Sequence, residues 1–121
     1  LEVADALYRA TKNTRYLKIF RSHYKANKDD ISTVAMLTYL PPDENVLDLL
    51  KEIYIDSENS VIRTAAVDGI LYNKGYLSDP LNMSEATAQL PLRRKFMSDN
   101  REERKEILDK FLRGELDSYK E

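Results

Sequence analysis

The sequence predicts an all-α protein, and two observations carry this prediction. Apolar residues recur at spacings of three and four along almost the whole chain of 121 residues, the spacing of one face of an α-helix. Only three glycines and four prolines interrupt the pattern, and the strictly alternating β-branched runs that indicate strands are absent. Helices are therefore expected at residues 2–10, 14–25, 31–40, 44–55, 61–72, 84–97 and 100–120.

Polar residues and prolines mark the ends of the first five helices. Asp30 and Ser60 each precede an apolar segment, where a side-chain oxygen can accept a hydrogen bond from the first turn of a helix. Pro41-Pro42 ends the third helix, because proline has no N–H group to continue the hydrogen-bond pattern. The connections are short, so successive helices should run antiparallel and pack against each other.

The C-terminal part is expected to be less regular. Gly75 and Pro80 indicate a loop, Pro91 should kink or divide the helix that follows, and Asp99 with Glu102 has the spacing of a capping box. The last helix is expected to cover the end of the preceding helices, with docking onto another chain as the alternative. The predicted organisation is a repeated helical region at 1–73, a loop at 74–83 and a C-terminal helical segment at 84–121.

Composition limits the classes of function. Nineteen lysines and arginines against 21 aspartates and glutamates give a formal charge of −2, so the overall balance implies neither a nucleic acid nor a membrane surface as partner. No apolar run approaches the roughly 20 residues of a membrane span, and 42% apolar with 33% charged residues is typical of a soluble globular segment. The sequence does not fix the compartment, although the cytoplasm is favoured.

Residue types that carry chemistry are sparse. The absence of cysteine excludes disulfides, thiolate zinc sites and thiol nucleophiles. The single histidine, His23, lies near an apolar helix face and is expected to be structural, so no catalytic residue, metal site or cofactor is predicted. Tyr16, Tyr24, Tyr54 and Tyr72 lie on or beside apolar faces and are expected at the edge of the core with hydroxyls reaching water.

The first half of the chain contains an internal repeat. A shift of 30 residues places Leu17 on Leu47 and Leu40 on Ile70, together with several other apolar pairs between these positions. The repeat unit is a pair of helices, although chance matching of two amphipathic helices is an alternative.

Small side chains in the fifth predicted helix favour close packing. Ala65, Ala66 and Gly69 would let a neighbouring helix approach, while Ile62 and Ile70 fill the remaining space. Glycine costs about 1 kcal/mol of helix propensity relative to alanine. Close packing is therefore a physical reason for Gly69.

The segment Ile62-Arg63-Thr64-Ala65-Ala66-Val67-Asp68-Gly69-Ile70, preceded by Asp56, resembles the first helix of a HEAT-like repeat of the armadillo and PBS-lyase type. The resemblance is strongest over residues 56–71 and implies a right-handed α–α superhelix in which Asp56 pairs with Arg63. Residues 4–8 are similar to residues 67–71, so the chain is expected to be a fragment of a larger protein.

The second predicted helix has the clearest surface signal, because its basic residues fall within an arc of about 120°. The resemblance places this helix and the fourth on the concave face of the superhelix, with a basic strip beside an acidic one. The candidate partner-binding residues are Arg15, Lys18, Arg21, Lys25, Asp48 and Glu52. A strip of mixed sign favours a protein partner, an acidic protein included, over a phosphate polymer.

The predicted function is therefore a non-catalytic protein-interaction or scaffold module. Three alternatives stay open: a solvated charged face with no partner, a nucleic-acid-binding domain that uses the basic helix 14–25, and a lyase-type enzyme built on helical repeats.

Overall fold

The computed structural model describes residues 1–79 and 90–116, and every regular element within these two ranges is an α-helix. The helices in these ranges are α1 (Glu2–Thr11), α2 (Arg15–Ala26), α3 (Ile31–Thr38), α4 (Glu44–Asp56), α5 (Ser60–Asn73), α6 (Leu90–Lys95) and α7 (Arg101–Leu112). The all-α prediction is confirmed. None of these helices has the length and apolar character needed to cross a membrane.

The helix ends follow local capping chemistry. The carboxylate of Asp30 accepts a hydrogen bond from the backbone N–H of Ser32, as predicted for the start of α3. The prediction of Ser60 as the cap of α5 is wrong, because Asn59 accepts from the first turn and Ser60 is already helical. Adjacent polar residues can both act as caps, so sequence spacing alone does not choose between them.

The last helix differs from its prediction at both ends. Asn100 caps α7 by accepting from the N–H of Glu103, in place of Asp99. The helix ends at Leu112, and the left-handed backbone of Gly114 (φ +77°) follows, so the predicted helical continuation through residues 113–116 is wrong. The predicted helical residues 84–89 and 117–120 lie outside the described residues.

One apolar cluster joins all seven of these helices. Helix α5 packs against both α3 and α4, α1 packs against α2, and α2 also contacts α3 and α4. Helix α7 lies against α4, and α6 lies against α5. The largest apolar side chains of the cluster are almost fully buried, including Phe20, Leu37, Ile53 and Phe96.

Gly69 lies at a close contact of α5 with both α3 and α4. A methyl group added at its Cα would lie 2.9 Å from Cδ1 of Leu50 on α4 and 3.0 Å from Oγ1 of Thr38 on α3. The two alanines of the same helix differ in burial: Ala66 is fully buried, whereas Ala65 is only partly buried. The close approach of α3 and α4 to α5 therefore depends on Gly69 and Ala66 more than on Ala65.

Three tyrosines anchor their hydroxyl groups inside the protein. Tyr8 donates a hydrogen bond to Asp43 at 2.6 Å, Tyr24 donates to Asp56 at 2.8 Å, and Tyr54 donates to the backbone carbonyl of Phe96. For Tyr24 and Tyr54 this replaces the expected contact with water. Burial is the main cause that raises the pKa of all three, and the neighbouring carboxylates add to it for Tyr8, whose pKa rises to about 12, and for Tyr24.

These tyrosines make the fold sensitive to high pH. Their folded-state pKa values lie above the ordinary value of 10.0, so their contribution to stability is complete below pH ~10 and is lost as the pH rises further. We expect helical circular dichroism to be lost in the same pH interval in which the buried phenolates form, as followed by absorbance at 295 nm. Ionisation of all tyrosines near pH ~10 with unchanged helical signal would contradict this expectation.

Two turns share a sequence pattern that fixes α7 in place. The first turn has the sequence Ser-Glu-Asn at residues 57–59, and Arg63 follows four positions after the asparagine. The second has Ser-Asp-Asn at residues 98–100, and Arg104 follows at the same spacing. In each turn the serine hydroxyl accepts from the asparagine N–H at 3.1 Å. Each arginine donates from Nη1 to the carbonyl of its own serine, at 3.0 Å for Arg63 and 3.1 Å for Arg104. We call these segments the paired turns.

Each of the two arginines also contacts an acidic residue of the other turn. Nη2 of Arg63 lies 2.6 Å from Asp99 of the second turn, and Nη2 of Arg104 lies 3.7 Å from Glu58 of the first. Arg104 also donates to the carbonyl of Ile55 at 2.7 Å, and its side chain is completely buried. The paired turns therefore hold the start of α7 beside the start of α5.

This arrangement corrects the pairing of Asp56 with Arg63 that the family resemblance implies. Arg63 pairs with Asp99 and donates to the Ser57 carbonyl. Asp56 instead accepts a hydrogen bond from Tyr24 and lies 3.3 Å from Nζ of Lys28. Asp56 is the last residue of α4 and its carboxylate binds residues at the end of α2, whereas the Arg63 side chain extends to the turn before α7.

Candidate partner-binding face

Helices α2, α4 and α7 together expose a row of charged side chains. Two cavities lie along it, one of about 150 Å³ between α2 and α4 and one of about 330 Å³ between α2, α4 and α7. We call this surface the charged face and define it by Lys18, Arg21 and Lys25 of α2, Asp48 and Glu52 of α4, and Arg101 and Lys105 of α7.

Five of the six predicted partner-binding residues lie on the charged face. Lys18, Arg21 and Asp48 line the smaller cavity, and Lys25 and Glu52 line the larger one. Arg15 lines neither cavity. Its guanidinium lies 4.9 Å from the ring centre of Tyr16 and donates to the Tyr16 hydroxyl at 2.8 Å.

The two acidic groups of α4 on the charged face already have basic partners. Nε of Arg21 lies 3.1 Å from Oε2 of Glu52, and Nζ of Lys51 lies 3.5 Å from Oδ1 of Asp48. Lys18 and Lys25, in contrast, make no ion pair with any residue in the described ranges. Of the basic strip on α2 and the acidic strip on α4, the basic charge is therefore the part left available to a partner.

Helix α7 contributes basic residues that the sequence reasoning missed. Arg101 and Lys105 line the larger cavity together with Lys25 and Glu52. They are four residues apart and therefore share one face of the helix, a signal that the sequence contains. What the sequence does not contain is the docking of α7 against α4, which brings this pair beside α2.

Asp56 lines the larger cavity, and its carboxylate has several partners within the fold. It accepts from Tyr24 at 2.8 Å and lies 3.3 Å from Lys28 and 3.8 Å from Arg101. Burial alone would raise the pKa of Asp56, but the hydrogen bonds from Tyr24 and Lys28 hold it below the ordinary value of 3.8. Asp56 is therefore ionised at neutral pH and its charge is balanced within the fold.

Other polar groups that could carry chemistry have structural partners. Nδ1 of His23 lies 3.0 Å from Oγ1 of Thr33. Nε of Arg93 lies 2.9 Å from Oδ1 of Asp68, whose pKa is raised because burial outweighs this ion pair. Over residues 1–79 and 90–116, no group of three His, Cys, Asp or Glu side chains is arranged to hold a metal ion.

A second surface, formed by α3, α5, α6 and the turn after α6, exposes large apolar side chains. Ile31, Val61 and Met97 are exposed there at 42%, 62% and 43%, and two shallow cavities lie between them. Arg93 and Arg94 of α6 line one of these cavities beside the apolar residues, and Arg93 is paired with Asp68.

Comparison of the chain with protein-family models, with curated proteins and with solved structures found no match.

Proposed function

We propose that this chain is a non-catalytic protein-interaction module and that its charged face binds an acidic segment of a partner protein. The observation that carries the proposal is the charge state of the face: Asp48 and Glu52 of α4 are paired, whereas three basic groups make no ion pair with a described residue. These unpaired basic groups are Lys18, Lys25 and Lys105. Unpaired basic groups beside two cavities give acidic side chains a place to bind and a field that steers them there.

We further propose that the helices form a HEAT-like right-handed superhelix, as the sequence resemblance implies. Contacts between positions about one repeat apart support it: Arg9 donates to the carbonyl of Tyr39, Asn59 to Asp29, and Arg21 to Glu52, at separations of 30, 30 and 31 residues. In such a stack the second helix of each pair lines one continuous surface, which would join α2 and α4 as a groove for an extended peptide.

A protein partner is favoured over a nucleic acid. Asp48 and Glu52 run through the middle of the charged face, where a continuous phosphate backbone would have to pass them. Neutralising many phosphates is the main source of affinity for nucleic acids, and a central acidic strip opposes it. A peptide can place acidic groups against Lys18 and Lys25 and other groups against α4.

Charge reversal on α2 tests the proposal. The Lys18→Glu, Lys25→Glu double variant is expected to bind a fluorescein-labelled glutamate-rich peptide at least about tenfold more weakly, measured by fluorescence polarisation. The matched control is Lys74→Glu, Arg94→Glu, which makes the same change in net charge at exposed positions outside the face. Helical circular dichroism should be unchanged in both variants.

Equal losses of peptide affinity in the two double variants would show that the effect comes from net charge alone. This result would reject the charged face as the binding site. A labelled DNA oligonucleotide serves as the second probe. Binding of DNA in preference to the peptide, weakening steeply with salt, would replace the protein-interaction proposal with the nucleic-acid alternative.

A further inference from the structure

The larger cavity of the charged face is lined by three basic side chains from two helices. Lys25 comes from the last turn of α2, and Arg101 and Lys105 come from the first half of α7. Glu52, Ile55 and Asp56 of α4 form the rest of the lining. The cavity, of about 330 Å³, is large enough for one ionic group with several oxygen atoms.

Both carboxylates at this cavity are neutralised from outside it. Glu52 is held by Arg21 at 3.1 Å, and Arg21 belongs to the lining of the smaller cavity. Asp56 is held by Tyr24 at 2.8 Å and by Lys28 at 3.3 Å, neither of which lines the larger cavity. The negative charge at the cavity is thus balanced without Lys25 and Lys105.

The basic groups of the cavity remain without equivalent partners. Lys25 and Lys105 make no ion pair with any residue of the described ranges, and Arg101 has a single long one, 3.8 Å to Asp56. Arg21 and Lys28 pair with the two carboxylates from outside the cavity. Together with the three basic residues of the lining, five cationic side chains therefore lie around two anionic ones. Like charges held together in this way are stabilised by a multiply charged anion.

We propose that this cavity binds a phosphorylated side chain of the partner protein. A phosphoryl group on serine or threonine carries about −1.5 to −2 charge at pH 7 and three acceptor oxygens. The two ammonium groups and the guanidinium of Arg101 supply donors for all three oxygens. A glutamate of the same peptide offers one charge and two oxygens, so the phosphorylated form binds more tightly.

This inference rests on the proposed function, because it names the group that the charged face recognises. The test uses the full chain, labelled with ¹⁵N, and three probes: inorganic phosphate, a phosphoserine peptide, and the same peptide with glutamate at that position. Phosphate is expected to shift the amide signals of Lys25, Arg101 and Lys105 in a saturable way. The phosphoserine peptide should bind about tenfold more tightly than the glutamate peptide.

Variants on α7 and α2 locate the effect. The Lys25→Gln, Lys105→Gln double variant is expected to lose the preference for phosphoserine. Lys110→Gln, on the same helix as Lys105 but paired with Glu106 at 3.4 Å outside the cavity, should keep it. Both sets of substitutions are at exposed positions, so folding is checked simply by an unchanged dispersion of the amide signals.

The outcomes separate this inference from the proposed function. Equal affinity for the phosphoserine and glutamate peptides, with no saturable phosphate shifts, would overturn the phosphate site while leaving the acidic-partner proposal in place. Phosphate shifts confined to residues outside the cavity would overturn it as well. Saturable phosphate binding at the cavity without affinity for either peptide would show a site for free phosphate only, and would overturn both the phosphorylated side chain as its occupant and the interaction proposal.

Discussion

Replacing Arg104 with alanine is expected to lower the free energy of unfolding by about 3–5 kcal/mol, because truncation leaves buried groups without their partner. The Arg104 side chain is completely buried and donates to the carbonyls of Ser98 and Ile55 at 3.1 and 2.7 Å. The loss of stability falls on the junction between α4 and α7, two helices that supply five of the six residues lining the larger cavity of the charged face. Urea denaturation followed by circular dichroism measures it.

Two further variants show which bonds of Arg104 matter. Glu58 is 82% exposed and lies 3.7 Å from Arg104, so Glu58→Ala should cost less than about 1 kcal/mol. Arg104→Lys keeps the charge but cannot donate to two carbonyls in the geometry of a guanidinium, so it should lose much of the stability. Full stability in Arg104→Lys, or a cost of Glu58→Ala equal to that of Arg104→Ala, would show that charge and not the carbonyl bonds holds the paired turns.

Replacing Gly69 with valine is expected to destabilise the protein by about 1–3 kcal/mol, the range of overpacking in a well-packed core. Any side chain at this position begins 2.9 Å from Leu50 and 3.0 Å from Thr38, and both of these residues are buried. Helix propensity favours the substitution by less than about 1 kcal/mol, so the clash decides the sign. Thermal and urea unfolding provide the measurement.

A double-mutant cycle identifies the clash as the cause. Leu50→Ala alone should cost about 2–5 kcal/mol through the space it leaves. Combined with Gly69→Val, it should cost clearly less than the sum, because the new methyl groups occupy part of that space. Ala65→Val is the matched control on the same helix, since Ala65 is partly exposed beside two shallow surface cavities. Additive costs in the cycle would mean that the clash with Leu50 is not the cause of the destabilisation.

The helices themselves were predictable because their signals are local. Apolar spacing and polar caps placed the first five helices within two residues of their observed ends. The small residue Gly69 was also readable, since a glycine inside a helix needs a reason. The end of the last helix was missed, because the apolar pattern continues to Leu116 while Gly114 turns the backbone.

The long-range contacts were not predictable from one sequence. The shift of 30 residues does not reveal the paired turns, whose spacing is 41, and the family resemblance directed Arg63 to the wrong aspartate. The basic pair of α7 was visible as a pattern, but its position beside Lys25 depends on how α7 docks against α4. Side-chain pairing between distant elements is decided by packing, which composition and period do not encode.

Mapping an acidic peptide onto the ¹⁵N-labelled chain tests the central claim most directly. If the charged face is the binding surface, the amide signals that shift on titration with a glutamate-rich phosphopeptide will belong to α2, α4 and α7, with Lys18, Lys25 and Lys105 among them. Shifts gathered instead around Ile31 and Val61 on the apolar surface, or an absence of saturable shifts, would contradict it.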